Sequence, residues 1–407
     1  MRICPCFVHI WCIGTVCTSP AAIVASVQPD YRPIMKTRIL CVAGARPNFM
    51  KLAPLVAAFE RDPEFSPFIV HTGQHYDDQM SGQFFRDLAM PAPKFNLHVG
   101  LGSHAQQTAE IMKQFEPVVI AERPDAVLVV GDVNSTMACT LVAKKLPSRV
   151  IHVEAGLRSF DRAMPEEINR VVTDAVSDLL LVTEESGRRN LLAEGIPPER
   201  IHMVGNLMID TLRMNVQKAR QSDILARLRA TSKSYGLVTL HRPSNVDDPA
   251  ALAEIIETLS IIAGEVPLYF PLHPRTRLRL KDHKIEVHSR IQLIHPLGYL
   301  DFLRLMSDSS VVLTDSGGIQ EETTALGIPC LTLRDNTERP VTIEEGTNIL
   351  AGTRKNSILA AWAEMKRAPK AGRIPKYWDG HAAARSLEVL RAYFSSGSSL
   401  RMGAGGG

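Results

Sequence analysis

The sequence predicts an α/β protein built as two Rossmann-like, doubly wound parallel-sheet domains facing a cleft, and three observations carry that prediction. From Met35 onward, short β-branched runs alternate with amphipathic helical stretches, the pattern of a parallel sheet covered by helices on both faces. The alternation comes in two series, separated by a polar helical stretch over residues 210–230. Glycine-rich and charged clusters follow almost every strand run, and in such sheets ligands sit outside the carboxyl ends of the strands.

The elements follow in order. TRILCVAGARP reads as a strand ending in a glycine loop, and NFMKLAPLVAAFERD as a helix. PFIVHTGQH, DAVLVVGD, RVIHVEAG, LLLVTEES and RIHMVGN supply the next strands, closing a first domain over 35–206. SYGLVTLHRP, VPLYFPLHP, IQLIHPLG, SVVLTDSGG and PCLTLRDN supply those of a second, over 207–380. A helix over 381–396 and a flexible serine- and glycine-rich tail over 397–407 end the chain.

Composition narrows the function. The 407 residues suffice for two cores, and 45% hydrophobic with 22% charged residues is a globular balance. A net charge of +3 argues against a nucleic-acid partner, which calls for a strongly basic face. Cys4, Cys6, Cys12 and Cys17 cluster at the start, whereas Cys41, Cys139 and Cys330 are scattered, which suggests neither a disulfide framework nor a metal site. Residues 1–34 are apolar but broken by Pro5, Gly14 and Pro20. They are expected to be a disordered extension upstream of a true start at Met35, in preference to a secretory signal. No continuous apolar run reaches the length of a membrane span.

Four stretches carry chemistry. In HVEAGLRSFDRAMPEEINR, residues 152–170, Glu154 ends a buried strand instead of sitting in a polar loop. Asp132 ends the preceding strand, with Glu166 or Glu167 reaching in from the following loop. Carboxylates brought together in a cleft raise each other's pKa, which suits acid and base roles. In DSGGIQEETTALGIP, Ser316, Gly317 and Gly318 turn into a helix whose free N–H groups suit a diphosphate. An acidic residue one turn further on suits ribose hydroxyls. A plain N-capped helix would explain the carboxylates but not two adjacent glycines at a strand end. In GARPNFMK, Arg46 and Lys51 are expected on one side of the loop-helix junction, aimed at an anion, without Walker spacing, and GxGxxG is missing from this first turn. In TLHRPSN, His241 has an ordinary pKa near neutrality and is followed by Arg242.

Together GARPNFMK, TGQH, GDVNST, HVEAGLRSFDRAMPEEINR, TLHRPSN, DSGGIQEE and RDNTERP resemble the non-hydrolysing UDP-N-acetylglucosamine 2-epimerases, from about residue 35 to 395. The resemblance implies a GT-B architecture with a C-terminal helix, around 382–393, crossing back to the first domain. It implies interconversion of UDP-N-acetylglucosamine and UDP-N-acetylmannosamine through 2-acetamidoglucal, with neither NAD nor metal, in a cytoplasmic homodimer supplying surface polysaccharide. By motif, Asp132, Glu154, Glu166 and His241 are the catalytic residues, with base and acid unassigned. Arg46, His241 and the 316–318 turn would stabilise leaving UDP. Glu322 would bind ribose and Arg339 lie near the nucleotide. Lys51 would order the cleft, and Arg242 and His273 complete the binding set.

Two departures qualify the expectation. HRPS stands where the family often reads HRRE, so Pro243 and Ser244 point to a related sugar such as a UDP-2,3-diacetamido uronic acid. Gln74, His75, Tyr76, Asp77 and Asp78 replace the QHRxM of substrate-activated members, which argues against allosteric activation. A hydrolysing relative and a GT-B glycosyltransferase are the competing enzymes. A silent nucleotide-sugar sensor would lose the carboxylates or His241, and all are present.

Overall fold

Among the described residues, seven parallel strands form the first sheet and six the second. The computed structural model describes residues 36–73, 85, 87–100, 102–272 and 274–401. The extension at 1–34, residues 74–78, His273 and the last six residues fall outside that set.

The first sheet contains β1 (Thr37–Ala43), β2 (Phe65–His71), β3 (Phe95–Asn96), β4 (Ala126–Val130), β5 (Arg149–Ala155), β6 (Leu179–Val182) and β7 (Ile201–Met203), in the order β3-β2-β1-β4-β5-β6-β7. The second contains β8 (Gly236–Thr239), β9 (Leu268–Pro271), β10 (Ile291–Ile294), β11 (Val311–Thr314), β12 (Cys330–Thr332) and β13 (Asn348–Leu350), in the order β10-β9-β8-β11-β12-β13. Both orders reverse beside their first strand, and the crevice at such a switch point is where these sheets bind ligands. AVLVV of β4 is buried throughout, as a central strand covered on both faces requires.

Local chemistry starts the helices. Ser103 caps His104–Glu122 in a capping box with Gln106, and Asp248 caps Pro249–Glu265 by accepting from the Ala250 and Ala251 amides at 2.8 and 2.9 Å. Cys41, Cys139 and Cys330 are buried. Burial pushes the Cys41 and Cys330 thiols up to about 12.

Helix Leu207–Ala219 lies between the two series, against Arg46–Glu60 on one side and Tyr299–Ser307 and Gly317–Leu326 on the other. Its Asp210 accepts from the Ala382 and Ala383 amides at 3.1 and 2.8 Å, capping the last helix, Ala382–Arg401. That helix packs on the first series: Arg391 pairs with Asp62, and Phe394 meets Phe65 edge-on at 6.4 Å. It runs to Arg401, past residue 396, where the tail was expected to begin. Among the described residues no helix is long and apolar enough to cross a membrane.

Candidate active site

Glu154 is placed by an irregularity in β5. The register against β6 shifts between Val153 and Ala155, and Glu154 has φ +69. A bulge of this kind re-aims a side chain at a strand end, and a non-glycine residue at positive φ is strained. The carboxylate pairs with Lys51, on the second turn of Arg46–Glu60, and with Arg339 Nη2 at 2.8 Å. Arg339 belongs to the second half of the chain, so this bond joins the strand ends of one sheet to the loops of the other.

Arg339 is buried and fully engaged. Its Nε meets Glu321 at 2.8 Å and its Nη1 meets Glu338 at 2.6 Å. Arg334 lies 2.8 Å from Glu338 as well. Glu338 is held well below the ordinary carboxylate range: burial pushes it up, but Arg339, Arg334 and Arg242 outweigh that. Glu321 moves the other way, because burial outweighs the pull of Arg339.

Asp132, two residues past β4, pairs with Arg170, which also lies 3.0 Å from Glu167. Burial pushes Asp132 up, yet Arg170, Lys51 and Arg339 leave it below the ordinary range. The expectation that gathered carboxylates raise one another therefore fails here, because arginines and a lysine interleave them. Of the two acids opening helix Pro165–Val176, Glu167 is spent on structure: it accepts from Ser159 N and Oγ at 2.9 Å and from Phe160 N at 3.0 Å. Glu166 is half-buried and pairs with no described residue.

On the second sheet, Asp315 follows β11 and anchors His241, which follows β8. His241 Nδ1 is 2.9 Å from Asp315 Oδ1, and the same carboxylate accepts from the His241 and Arg242 amides and from Asn245 Nδ2. Burial raises Asp315, but the His241 hydrogen bond and these amides bring it below its ordinary value. The bond at Nδ1 leaves Nε2 clear of that carboxylate, on a ring that is 61% exposed. Arg242 reaches the Asp315 carbonyl at 3.2 Å and Glu338 at 3.4 Å.

Ser316 is the N-cap of Gly317–Leu326, and the first-turn N–H groups of an α-helix lack intrahelical partners. A Cβ on Gly317 would lie 2.6 Å from Arg339 Nη1, so only glycine lets the turn approach that guanidinium. Glu322, one turn in, accepts from the Tyr299 hydroxyl at 3.0 Å. The structure thus brings Lys51, Glu154 and Arg339 into direct contact and joins Asp132 to Arg170. His241 and Arg242 share Asp315 beside the turn, and Glu322 sits on Tyr299. Arg46 opens its helix, but its side chain, like His273, lies outside the described set.

Several groups escaped sequence reasoning although their motifs had been singled out. Asp315, Glu338 and Arg170 sit in DSGG, RDNTERP and PEEINR. Glu184, in the strand-end TEES, accepts from Ser186 Oγ at 2.6 Å. Burial drives its carboxyl up to about 8, so it is an acid still protonated near neutrality.

The family model described as UDP-N-acetylglucosamine 2-epimerase matches residues 57–391. The chain belongs to that family. A UDP-N-acetylglucosamine 2-epimerase from Methanocaldococcus jannaschii is 41% identical, over 87% of this chain and 98% of its own. A crystal structure of M. jannaschii UDP-GlcNAc 2-epimerase, in complex with UDP-GlcNAc and UDP, superposes with a TM-score of 0.82 at 41% identity, over 87% of this chain and 99% of that one. A UDP-2,3-diacetamido-2,3-dideoxy-D-glucuronate 2-epimerase from Pseudomonas aeruginosa is 40% identical, over 87% and 99%. The two facing sheets of this epimerase-family chain make the GT-B architecture.

Proposed function

We propose that the protein is a non-hydrolysing epimerase that inverts C2 of UDP-N-acetylglucosamine to give UDP-N-acetylmannosamine. The observation that carries this reading is Glu154, on a bulged strand end, gripped by Lys51 from one half of the chain and Arg339 from the other, with Asp132 kept ionised close by. The C2 proton of the sugar is weakly acidic, so its removal needs a positioned carboxylate, and its return to the opposite face needs an acid. Asp132, Glu154 and Glu166 supply those groups.

In the forward step the C2–H and C1–O bonds break, a C1=C2 double bond forms, and UDP departs with the electron pair. The 2-acetamidoglucal then takes a proton at C2 on the other face while the UDP oxygen re-forms its bond to C1. Negative charge on the departing diphosphate is met by the helix end at 316–318 and the Nε2 edge of His241. Arg339 lies beside that turn, Glu322 accepts from the ribose, and Lys51 and Arg242 line the cleft. The reaction needs no redox cofactor, since C2 has the same oxidation state in both epimers. A homodimer in the cytoplasm, feeding surface polysaccharide assembly, fits this reading.

A second substrate is favoured by one observation. Pro243 and Ser244 open helix Pro243–Val246 beside His241, where the family often has an arginine and an acid. The P. aeruginosa relative is named for a diacetamido uronate. Separate incubation with UDP-N-acetylglucosamine and with UDP-2,3-diacetamido-glucuronate, followed by chromatography of the sugar nucleotides, tests both. A manno epimer from the first substrate is the expected result. Turnover of the uronate alone would reassign the substrate, and free UDP with free N-acetylmannosamine would make the enzyme hydrolysing.

A further inference from the structure

A buried polar cluster lies behind the strand ends that carry Asp132 and Glu154, and the chemistry above makes no use of it. His152, two residues before Glu154 on β5, has Nδ1 2.7 Å from Asp174 Oδ1 and Nε2 2.8 Å from the Gly131 carbonyl oxygen. Neither side chain has any exposure. A carbonyl can only accept. Asp174 also accepts, since burial pushes its carboxyl up but His152 and Arg158 bring it below the ordinary range. Both ring nitrogens therefore face oxygen atoms, which fixes the plane of the imidazole. Arg158 closes the cluster, with Nη1 2.7 Å from Asp174 Oδ2 and its Nε and Nη2 on Glu194 at 2.7 and 2.6 Å. Arg158 thus ties Asp174 to Glu194.

The cluster holds backbone on both sides of the carboxylates. Gly131, immediately before Asp132, gives its carbonyl to His152 and its N–H to the Val153 carbonyl at 3.0 Å. Gly156, two residues after Glu154, donates its N–H to Asp174 Oδ2 at 3.1 Å. Gly156 has φ +81, and a Cβ there would fall 2.3 Å from the Gly187 carbonyl oxygen, so that segment has no room to slide.

We propose that His152 and Asp174 are positioning residues that set the spacing and aim of Asp132 and Glu154 for proton transfer at C2. The inference rests on the epimerase reading above. Both carboxylates hang from backbone that this one dyad pins, whereas the diphosphate site belongs to the second sheet. Loosening the dyad should therefore slow proton transfer and let the glycal escape before it is reprotonated, with little change in substrate binding.

The test is steady-state kinetics of Asp174→Asn and His152→Gln on UDP-N-acetylglucosamine, with 2-acetamidoglucal and UDP measured alongside the epimer. A misplacement of about 1 Å costs on the order of a hundredfold, so kcat should fall roughly 10- to 100-fold. KM should stay within about twofold, and more glycal should be released per turnover than by the parent. Unchanged kcat would overturn the inference. So would a kcat loss accompanied by lost UDP binding and no glycal, the mark of general damage. If neither variant folds, Glu194→Gln acts on the dyad only through Arg158 and is expected to lower kcat severalfold at constant KM; parental kcat there would also overturn it. A parent that leaves the sugar untouched would instead sink the epimerase reading itself, and the positioning role with it.

Discussion

The strand ends of the two sheets are built differently. Those of the first sheet hold charge that is paired and locked: buried Glu154 under Lys51 and Arg339, half-buried Asp132 under Arg170, and the buried His152–Asp174 pair behind them. Those of the second present an exposed imidazole and a glycine turn, with one buried aspartate serving as anchor. Fixed carboxylates suit proton transfer, where small errors of aim are costly. An open helix end suits a diphosphate that must arrive and leave. The difference suggests that chemistry and nucleotide binding are divided between the sheets, with Arg339 as the link.

Substituting one side without disturbing the other would break or sharpen that division. The largest effect is expected from Asp132→Asn, which should cost about 10²- to 10⁴-fold in kcat while UDP binding, followed by calorimetry, stays close to the parent value. Equal loss of both would place Asp132 in binding instead. Next comes the link. Arg339→Ala leaves buried Glu154, Glu321 and Glu338 without their shared cation and should destabilise by about 3–5 kcal/mol, read by urea denaturation.

Glu184 gives a pH signature. Its carboxyl lies at about 8 in the fold against an ordinary 4.5, so the folded state binds the extra proton. The stability it contributes is present below about pH 4.5 and is lost as pH rises through 8, a change on the order of 5 kcal/mol. Glu184→Gln should flatten the denaturation midpoint across that window, and an unchanged slope would remove Glu184 as its source. The smallest effect is expected from Gly317→Ala, whose Cβ would crowd Arg339 Nη1 at 2.6 Å. UDP affinity should fall roughly tenfold, about 1.4 kcal/mol.

Much of this was legible in the sequence because two signals are local. The alternation of β-branched runs with amphipathic helices announced both sheets, and charged residues just past a strand run announced Asp132, Glu154 and His241. Strand β3, of two residues, has no run long enough to read. Partnerships were also hidden. Arg339 meets Glu154 across 185 positions and Arg170 meets Asp132 across 38, and a one-dimensional pattern carries no distance. That is why gathered carboxylates were expected to raise one another, whereas cations set between them hold Asp132 low. Glu184 had the opposite problem: its motif was visible, but only burial reveals that it keeps its proton.

The most direct measurement is proton NMR of UDP-N-acetylglucosamine incubated with the protein in D2O, run beside Asp132→Asn. The account predicts UDP-N-acetylmannosamine carrying deuterium at C2 with the parent, and none with the variant at the same UDP occupancy. Epimer formed with its C2 proton retained would contradict proton abstraction by these carboxylates, and equal deuterium incorporation by the variant would contradict the division of labour between the two sheets.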